Sequence, residues 1–411
     1  MEEASAGAIF PNEVIVEIVS WLPVKYVMQL RCLNKFFNTL IFNPNFVQMH
    51  LNKSTRRRNS QQLALICFEN ENHVNPEEDS DDWTSSLITL SIHDLLQNHK
   101  FTIFHHSDPY YLLTDRPWVV GSCNGLLCLF GMSSRYHQWL YLWNPTIRKQ
   151  SQKFTLFFDY YNNPNFNFSF GYDNSTQTYK VVAFYVEVKP RCNPKSVVKV
   201  FSLGDNSWRD IQCLPVLPLY CILDDDDDDD DDDNNNNKND GVHLNGTINW
   251  IAVRDDININ SRVTVDSSLT VDQFVILSLD LSTETYTQLL LPHRFDKVPR
   301  YPPKLVVLMD CLCFCHDFEK IHFVIWQMKD FGVQESWIQL FKISHQDFYI
   351  WLDLLPLYLS ENGDTLLLAN VKHNEAFIYN CRDNKVEKIE IANNIMWPKA
   401  KNYVESLVSP H

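Results

Sequence analysis

The feature that most constrains this chain is a turn signal that keeps returning. Asn-Gly pairs stand at Asn124-Gly125, Asn245-Gly246 and Asn362-Gly363, each between two apolar runs. Both central residues of a type I′ turn need positive φ, which Asn and Gly tolerate, so each pair predicts a tight β-hairpin. The flanking runs are Trp118-Val119-Val120 with Leu126 to Phe130, Val242-His243-Leu244 with Ile248-Asn249-Trp250, and Leu357-Tyr358-Leu359 with Leu366-Leu367-Leu368. Asp310-Cys311 is expected to fill the same place between Leu305–Leu308 and Leu312–Phe314.

A second element follows each hairpin: a strand, a short polar turn, then a bulky residue opening the next strand. It reads Val200–Leu203 to Trp208, Leu277–Leu281 to Tyr286, Val324–Trp326 to Trp337, and Ala376–Tyr379 to Val386, with Tyr141–Arg148 as an earlier variant. The later bulky positions recur at a step of about 50 residues; the polar stretch Arg254 to Thr270 is an insertion within its unit. Four strands per unit at that period predict a β-propeller. A single blade cannot bury both faces, so the blades must stack around an axis, with the aromatics packed between them. Units starting near Gln62, Trp118, Phe168, Val242, Lys304 and Leu357 give about six blades.

The first fifty residues follow another period. After Pro11, Val14, Ile15, Ile18, Val19 and Leu22 recur at helical spacing until Pro23 stops the helix. A second helix is expected over Val24 to Leu30, and a third through Leu33 and Phe36-Phe37 towards Leu40. The stretch resembles an F-box, whose pattern runs Leu-Pro-x-Glu, Ile-x-x-x-Leu-Pro-Val-Lys, Arg-Cys-Val-x-Lys-x-Trp, Asp-Pro-x-Phe. The matches are Pro11, Glu13, Ile18, Leu22-Pro23-Val24-Lys25, Leu30-Arg31-Cys32, Lys35, Pro44 and Phe46. Phe10, Asn34, Phe37 and Asn43 depart from it conservatively.

The remainder resembles the F-box-associated domain found behind many plant F-boxes, a kelch-like propeller without kelch's paired glycines. The pieces are Ser122–Cys128, Leu142-Trp143-Asn144-Pro145, Phe170-Gly171-Tyr172-Asp173, Tyr179-Lys180-Val181-Val182 and Glu335-Ser336-Trp337. The expected fold is thus mainly β: an F-box at 8–52, a linker at 53–61, and a propeller at 62–408 with a disordered acidic insertion at 222–240. The resemblance implies a non-catalytic receptor subunit of an SCF-type ubiquitin ligase. Its F-box would dock on a Skp-family adaptor, and through it on a cullin and a ring-finger subunit, while the propeller presents a protein target. Phe10, Pro11, Val14, Ile18, Leu22, Pro23, Val27, Leu30, Cys32 and Phe37 are the expected adaptor contacts. The alternative is an interaction scaffold or inhibitor acting without ubiquitin ligation.

Charge and cysteine content narrow the classes. The net charge is −16, yet ten of those charges are the run Asp224–Asp233, so the rest carries only −6. Such a run repels itself and has nothing to bury, which predicts disorder. Residues 1–60 carry seven Lys or Arg against four Glu, but no basic stripe suggests nucleic acid. No apolar run reaches the ~18 residues of a membrane span. Eleven cysteines without framework spacing fit reduced thiols in cytoplasm or nucleus.

Two motifs invite a catalytic or metal reading. Gly121-Ser122-Cys123-Asn124-Gly125 has the spacing of a nucleophile elbow, but a helix must follow such a turn, and Leu126–Gly131 reads as a strand. Cys311, Cys313, Cys315 and His316 lack the paired Cys-x₂₋₄-Cys spacing of zinc sites and are expected to be core side chains. The scattered histidines have no partner at a telling sequence distance. No cofactor is expected.

Overall fold

A computed structural model describes residues 10–57, 61–70, 83–98, 100–101, 110–113, 117–134, 137–155, 166–187, 195–221, 241–254, 269–319, 321–348, 353–391 and 395–410. The acidic run expected to be disordered lies outside the described residues, as does most of the Arg254–Thr270 insertion.

Four helices come first: α1 (Asn12–Val19), α2 (Val24–Leu30), α3 (Lys35–Ile41) and α4 (Pro44–Thr55). Proline starts three of them, since its missing N–H needs no partner there. Pro11 and Pro23 are the N-caps of α1 and α2, and Pro44 opens α4. The Asn34 and Asn43 side chains cap α3 and α4, accepting from the Phe37 N–H at 3.0 Å and the Asn45 N–H at 2.9 Å. The fourth helix was not anticipated, and it continues past residue 52 into the stretch expected as a linker. Val19, Val24, Val27, Ile41 and Phe46 form the small core of the four helices.

The rest is mainly β: six antiparallel sheets of four principal strands, and a two-stranded parallel sheet that pairs Lys100–Phe101 with Glu390–Ile391. The first strands of the six are Lys401–Val404, Trp118–Cys123, Asn167–Asp173, Val242–Leu244, Lys304–Leu308 and Leu354–Leu359. These six touch one another in succession and close into a ring, so the expected six-bladed propeller is the observed fold. Most inner strands are buried along nearly their whole length, because both faces of each blade are covered by neighbours. Aromatic rings fill the spaces between blades as expected: Phe130 stacks on Phe168 at 5.0 Å, Phe154 on Phe201 at 4.1 Å, and Phe184 meets Trp250 edge-on at 5.6 Å.

The first blade holds a connection that the repeat pattern does not show. Its strands Gln61–Asn70, Trp83–Ser91 and Tyr110–Leu113 are joined by an innermost strand from the far end of the chain, Lys401–Val404, which pairs with Gln61–Ala64. The C-terminus therefore closes the ring.

Two of the expected hairpins differ in detail. Asn124-Gly125 and Asn245-Gly246 have positive φ at both residues, as a type I′ turn requires. In the fifth blade the positive-φ pair is Met309-Asp310, not Asp310-Cys311, and Cys311 already opens the next strand. Asn362-Gly363 belongs to a longer loop between Leu359 and Thr365, in which only Gly363 has positive φ and the Ser360 hydroxyl accepts from the Thr365 N–H.

Antiparallel connectivity divides the loops between the two ends of the propeller. The first and third turns of each blade share one end; the second turn and the link to the next blade share the other. The four-helix segment sits at the first end, where Ile147, from a third turn, and Leu407, just past the closing strand, join its core. The insertions anchored at Cys221 and Gly241, and at Arg254 and Leu269, leave from the opposite end.

Candidate functional site

Helix α1 has two faces. Ile15, Val16 and Val19 turn into the helical core. On the other side, Phe10 (61 % exposed), Val14 (40 %), Ile18 (55 %) and Trp21 (49 %) follow one another at steps of four, four and three residues. Val14 and Ile18 share one face of α1 by their spacing, while Phe10 stands just before the Pro11 N-cap and Trp21 just past the Ser20 C-cap. Isolated exposed apolar residues need no explanation, but four within twelve residues of one short segment make it a candidate contact surface.

The base of this surface is fixed by polar contacts to α4. The Trp21 indole N–H donates to Glu17 at 3.2 Å, and the Lys53 ammonium pairs with Glu17 at 2.5 Å and donates to the Ser20 hydroxyl at 2.7 Å. Lys53 also lies 4.9 Å from the Trp21 ring centre. Hydrogen bonds from Lys53 and Trp21 hold the Glu17 carboxyl below its usual pKa.

The structure sorts the ten sequence-expected contact residues. Phe10, Pro11, Val14, Ile18 and Cys32 are exposed. Leu22, Pro23, Leu30 and Phe37 are half-buried, with Leu22, Leu30 and Phe37 packed on the helical core. Val27 is fully buried in that core, so its side chain supports the surface from beneath. Sequence reading passed over Trp21, Tyr26, Leu33 and Phe36, all exposed. Helical phase could have found Tyr26, which lies opposite Val24 and Val27 on α2.

The helical segment is seated on the propeller. Leu407 is buried in its core, and the Gln62 side chain donates to Glu405 at 2.6 Å beside Arg57. The Phe42 ring lies between Arg31 at 4.6 Å and Lys149 of the second blade at 5.5 Å. Buried His50 ties α4 to the corner between α1 and α2, its Nε2 2.9 Å from the Leu22 carbonyl.

The residues with catalytic spacing are placed otherwise. Cys123 ends the innermost strand of its blade and leads into a tight hairpin, not a helix. The fold does supply a partner that sequence distance concealed, since His243 Nδ1 lies 3.4 Å from the Cys123 Sγ. Burial nevertheless pushes the thiol pKa well up and the imidazole pKa down, so neither group is charged at neutral pH. Cys313 and Cys315 lie in an apolar cluster with Phe323 and Phe341.

The F-box domain family matches residues 9–49, and the F-box associated beta propeller domain family matches residues 91–410. The chain is 26% identical to the F-box/kelch-repeat protein At3g23880 of Arabidopsis thaliana, over 98% of this chain and 96% of that one. It is 22% identical to the F-box protein CPR1 of the same plant, over 98% and 89%. With the putative F-box protein At1g33530, also from Arabidopsis thaliana, the identity is 24%, and the match spans 80% of this chain and 60% of that one. Members of these families are typically non-catalytic substrate adaptors of SCF ligases, and an F-box implies binding to a Skp-type adaptor. The chain belongs to the F-box proteins that carry an F-box-associated β-propeller domain.

Proposed function

We propose that this protein is the substrate-recognition subunit of an SCF-type ubiquitin ligase. The observation that carries the reading is the exposed apolar set Phe10, Val14, Ile18 and Trp21, on α1 and at its two ends, outside the protein's own core in a segment that matches the F-box family. A Skp-family adaptor covering it would bring in the cullin and ring-finger subunits. Each apolar side chain so buried contributes roughly 1.5–3 kcal/mol. Several kcal/mol of association cost must be offset first, so two or three anchors govern the affinity.

The receptor does no chemistry of its own in this account. It raises the effective concentration of a target lysine near the ubiquitin thioester. Seating of the F-box on the propeller through Leu407 and Ile147 supports that role, because a fixed angle keeps the target within reach of the conjugating enzyme. The domain limits 8–52 and 62–408 belong to this proposal, as does a place in cytoplasm or nucleus. No helix among the described residues is long and apolar enough to cross a membrane.

The test is binding of the full-length protein to a Skp-type adaptor beside a Val14→Asp/Ile18→Asp variant. Both sites are exposed, so the variant should keep its thermal melt while losing the adaptor. Failure of the folded wild-type protein to bind would leave the scaffold or inhibitor as the better account.

A further inference from the structure

At the propeller end opposite the F-box, two aromatic rings are each flanked by two cations. Phe318, closing the second strand of the fifth blade, has the Lys342 ammonium 5.1 Å from its ring centre and that of Lys297 at 5.8 Å. Tyr301 has the Arg300 guanidinium at 5.4 Å and the Lys372 ammonium at 5.0 Å. The four cations come from separate elements. Lys297 and Arg300 lie in the link between the fourth and fifth blades, Lys342 near the end of the outer strand of the fifth, and Lys372 in the second turn of the sixth. Residues 297–301 join the two clusters into one patch.

This patch runs against the charge of the molecule. In a chain of net charge −16 it gathers four exposed cations against two nearby acids, Glu319, which bridges to Lys297 and also faces Lys342, and Asp296, next to Lys297. Among the described residues no carboxylate stands within ion-pair distance of Arg300, Lys342 or Lys372. Cations laid on ring faces lose part of their side-chain freedom before any ligand arrives, which lowers the ordering cost of binding. Outside the Lys297–Glu319 pair, no carboxylate among the described residues takes up the N–H groups that face away from the rings. Charge-assisted hydrogen bonds to carboxylate oxygens are among the strongest that such groups form. Exposed Ile321, in the turn just beyond Phe318, offers an apolar contact alongside.

We propose that this patch, Phe318 and Tyr301 with Lys297, Arg300, Lys342 and Lys372, docks a carboxylate-rich segment of a target protein. The inference deepens the receptor reading and rests on it only for calling the occupant a target. Placement favours it too, because a ligand held here leaves the F-box end clear for the adaptor.

The test is fluorescence anisotropy of a labelled ten-residue glutamate peptide with the full-length protein. The partners are a Lys342→Glu/Lys372→Glu variant, a milder Lys342→Gln/Lys372→Gln variant, and a Lys385→Glu control on the outer strand of the sixth blade. The proposal expects at least about a tenfold loss for the double reversal, a smaller loss for the glutamine pair, and a control within about twofold of wild type. Binding should weaken as salt rises from about 50 to 200 mM. Adaptor binding should be unchanged in every variant, which separates this test from that of the ligase reading.

Equal loss in the control would show diffuse electrostatics and overturn the proposal, and so would a double reversal that binds like wild type. Absence of peptide binding throughout would overturn it as well. A fourth variant has Asp224–Asp233 replaced by a glycine-serine segment. That run is tethered between Cys221 and Gly241 at the same end of the propeller. Peptide binding that emerges only in this variant would make the chain's own acidic run the occupant, and the partner proposal would fall.

Discussion

Asn144 and Ser406 stand 262 residues apart in the chain and are joined by two hydrogen bonds. The Asn144 Nδ2 donates to the Ser406 carbonyl and to its hydroxyl, both at 3.0 Å, and also to the Val408 carbonyl at 2.8 Å. Its Oδ1 accepts from the Tyr403 hydroxyl at 2.9 Å and the Thr146 N–H at 3.0 Å. One buried amide thus fastens the tail of the closing strand to the second blade. Leu407, between the two anchored carbonyls, enters the F-box core, so the same clasp holds both parts of the molecule.

Replacing Asn144 with Ala should therefore reach well beyond its own blade. It leaves buried donors and acceptors without partners, at a cost of roughly 2–4 kcal/mol. Urea unfolding should show a lower midpoint, and the F-box should become more sensitive to protease than the propeller. A loss below about 0.5 kcal/mol would mean that water replaces the amide readily.

Gly125→Ala attacks the clasp from the other side. A Cβ there would collide with the Ser406 Oγ and Cβ, and the residue sits at φ +76°. The substitution should lower the melting temperature. Adding Ser406→Ala should restore little of the loss, because the Ser406 Cβ still crowds the new methyl and the left-handed backbone still costs an alanine about 1–2 kcal/mol. Full recovery in the double variant would show that the Ser406 hydroxyl alone was responsible.

Between the third and fourth blades, Lys180 lies 2.9 Å from Asp173 and 3.3 Å from Glu284, and it donates to the Leu281 carbonyl. Lys180→Met would strand a buried carboxylate, at a cost of about 3–5 kcal/mol. Burial tends to raise the Asp173 pKa, but hydrogen bonds from Lys180, Ser175 and Thr176 outweigh it and hold the carboxyl below its usual range. A folded value below the unfolded one gives stability that is complete above about pH 4 and fades as pH falls further. The gap between wild type and Lys180→Met should be full at pH 7 and shrink below about pH 4 in denaturant titrations.

His50 gives the F-box a milder acid sensitivity. Its Nε2–H must donate to the Leu22 carbonyl, which leaves Nδ1 to accept from the Ser54 hydroxyl at 3.3 Å. Burial holds its pKa below the ordinary value, and the nearby Arg57 and Lys53 charges act in the same direction. The unfolded chain then takes up the proton first, so stability falls as pH drops below about 6.5. Adaptor binding should weaken between pH 7.5 and 5.5, and His50→Gln should flatten that dependence. A profile unchanged in His50→Gln would place the sensitivity elsewhere.

The readable parts of the fold were those written in short stretches. Asn124-Gly125 makes its own hairpin because the turn needs only those two φ values. At Asn362-Gly363 the same dipeptide lies in a longer loop, where the Ser360 hydroxyl and the neighbouring Asp364 carboxylate set the backbone instead. On α1 the sequence set Val14, Ile15, Ile18 and Val19 in one apolar series, which the fold divides between the exposed side and the core, and Val27, expected at the surface, is buried because α2 is too short for phase alone to orient it.

By itself the sequence determined the blade unit, through turn residues and strand runs at a step of about 50, and the F-box, through its ordered motif. The tertiary structure alone decided that Lys401–Val404 would complete the first blade, that Asn144 would clasp the tail, and that Leu407 would join two domains. It also placed His243 against Cys123 and gathered four cations around Phe318 and Tyr301. The physical reason is range. Turn chemistry and helix phase act over a few neighbouring residues, whereas ring closure pairs groups such as Gln62 and Glu405, 343 residues apart, which meet only after every blade between them has formed.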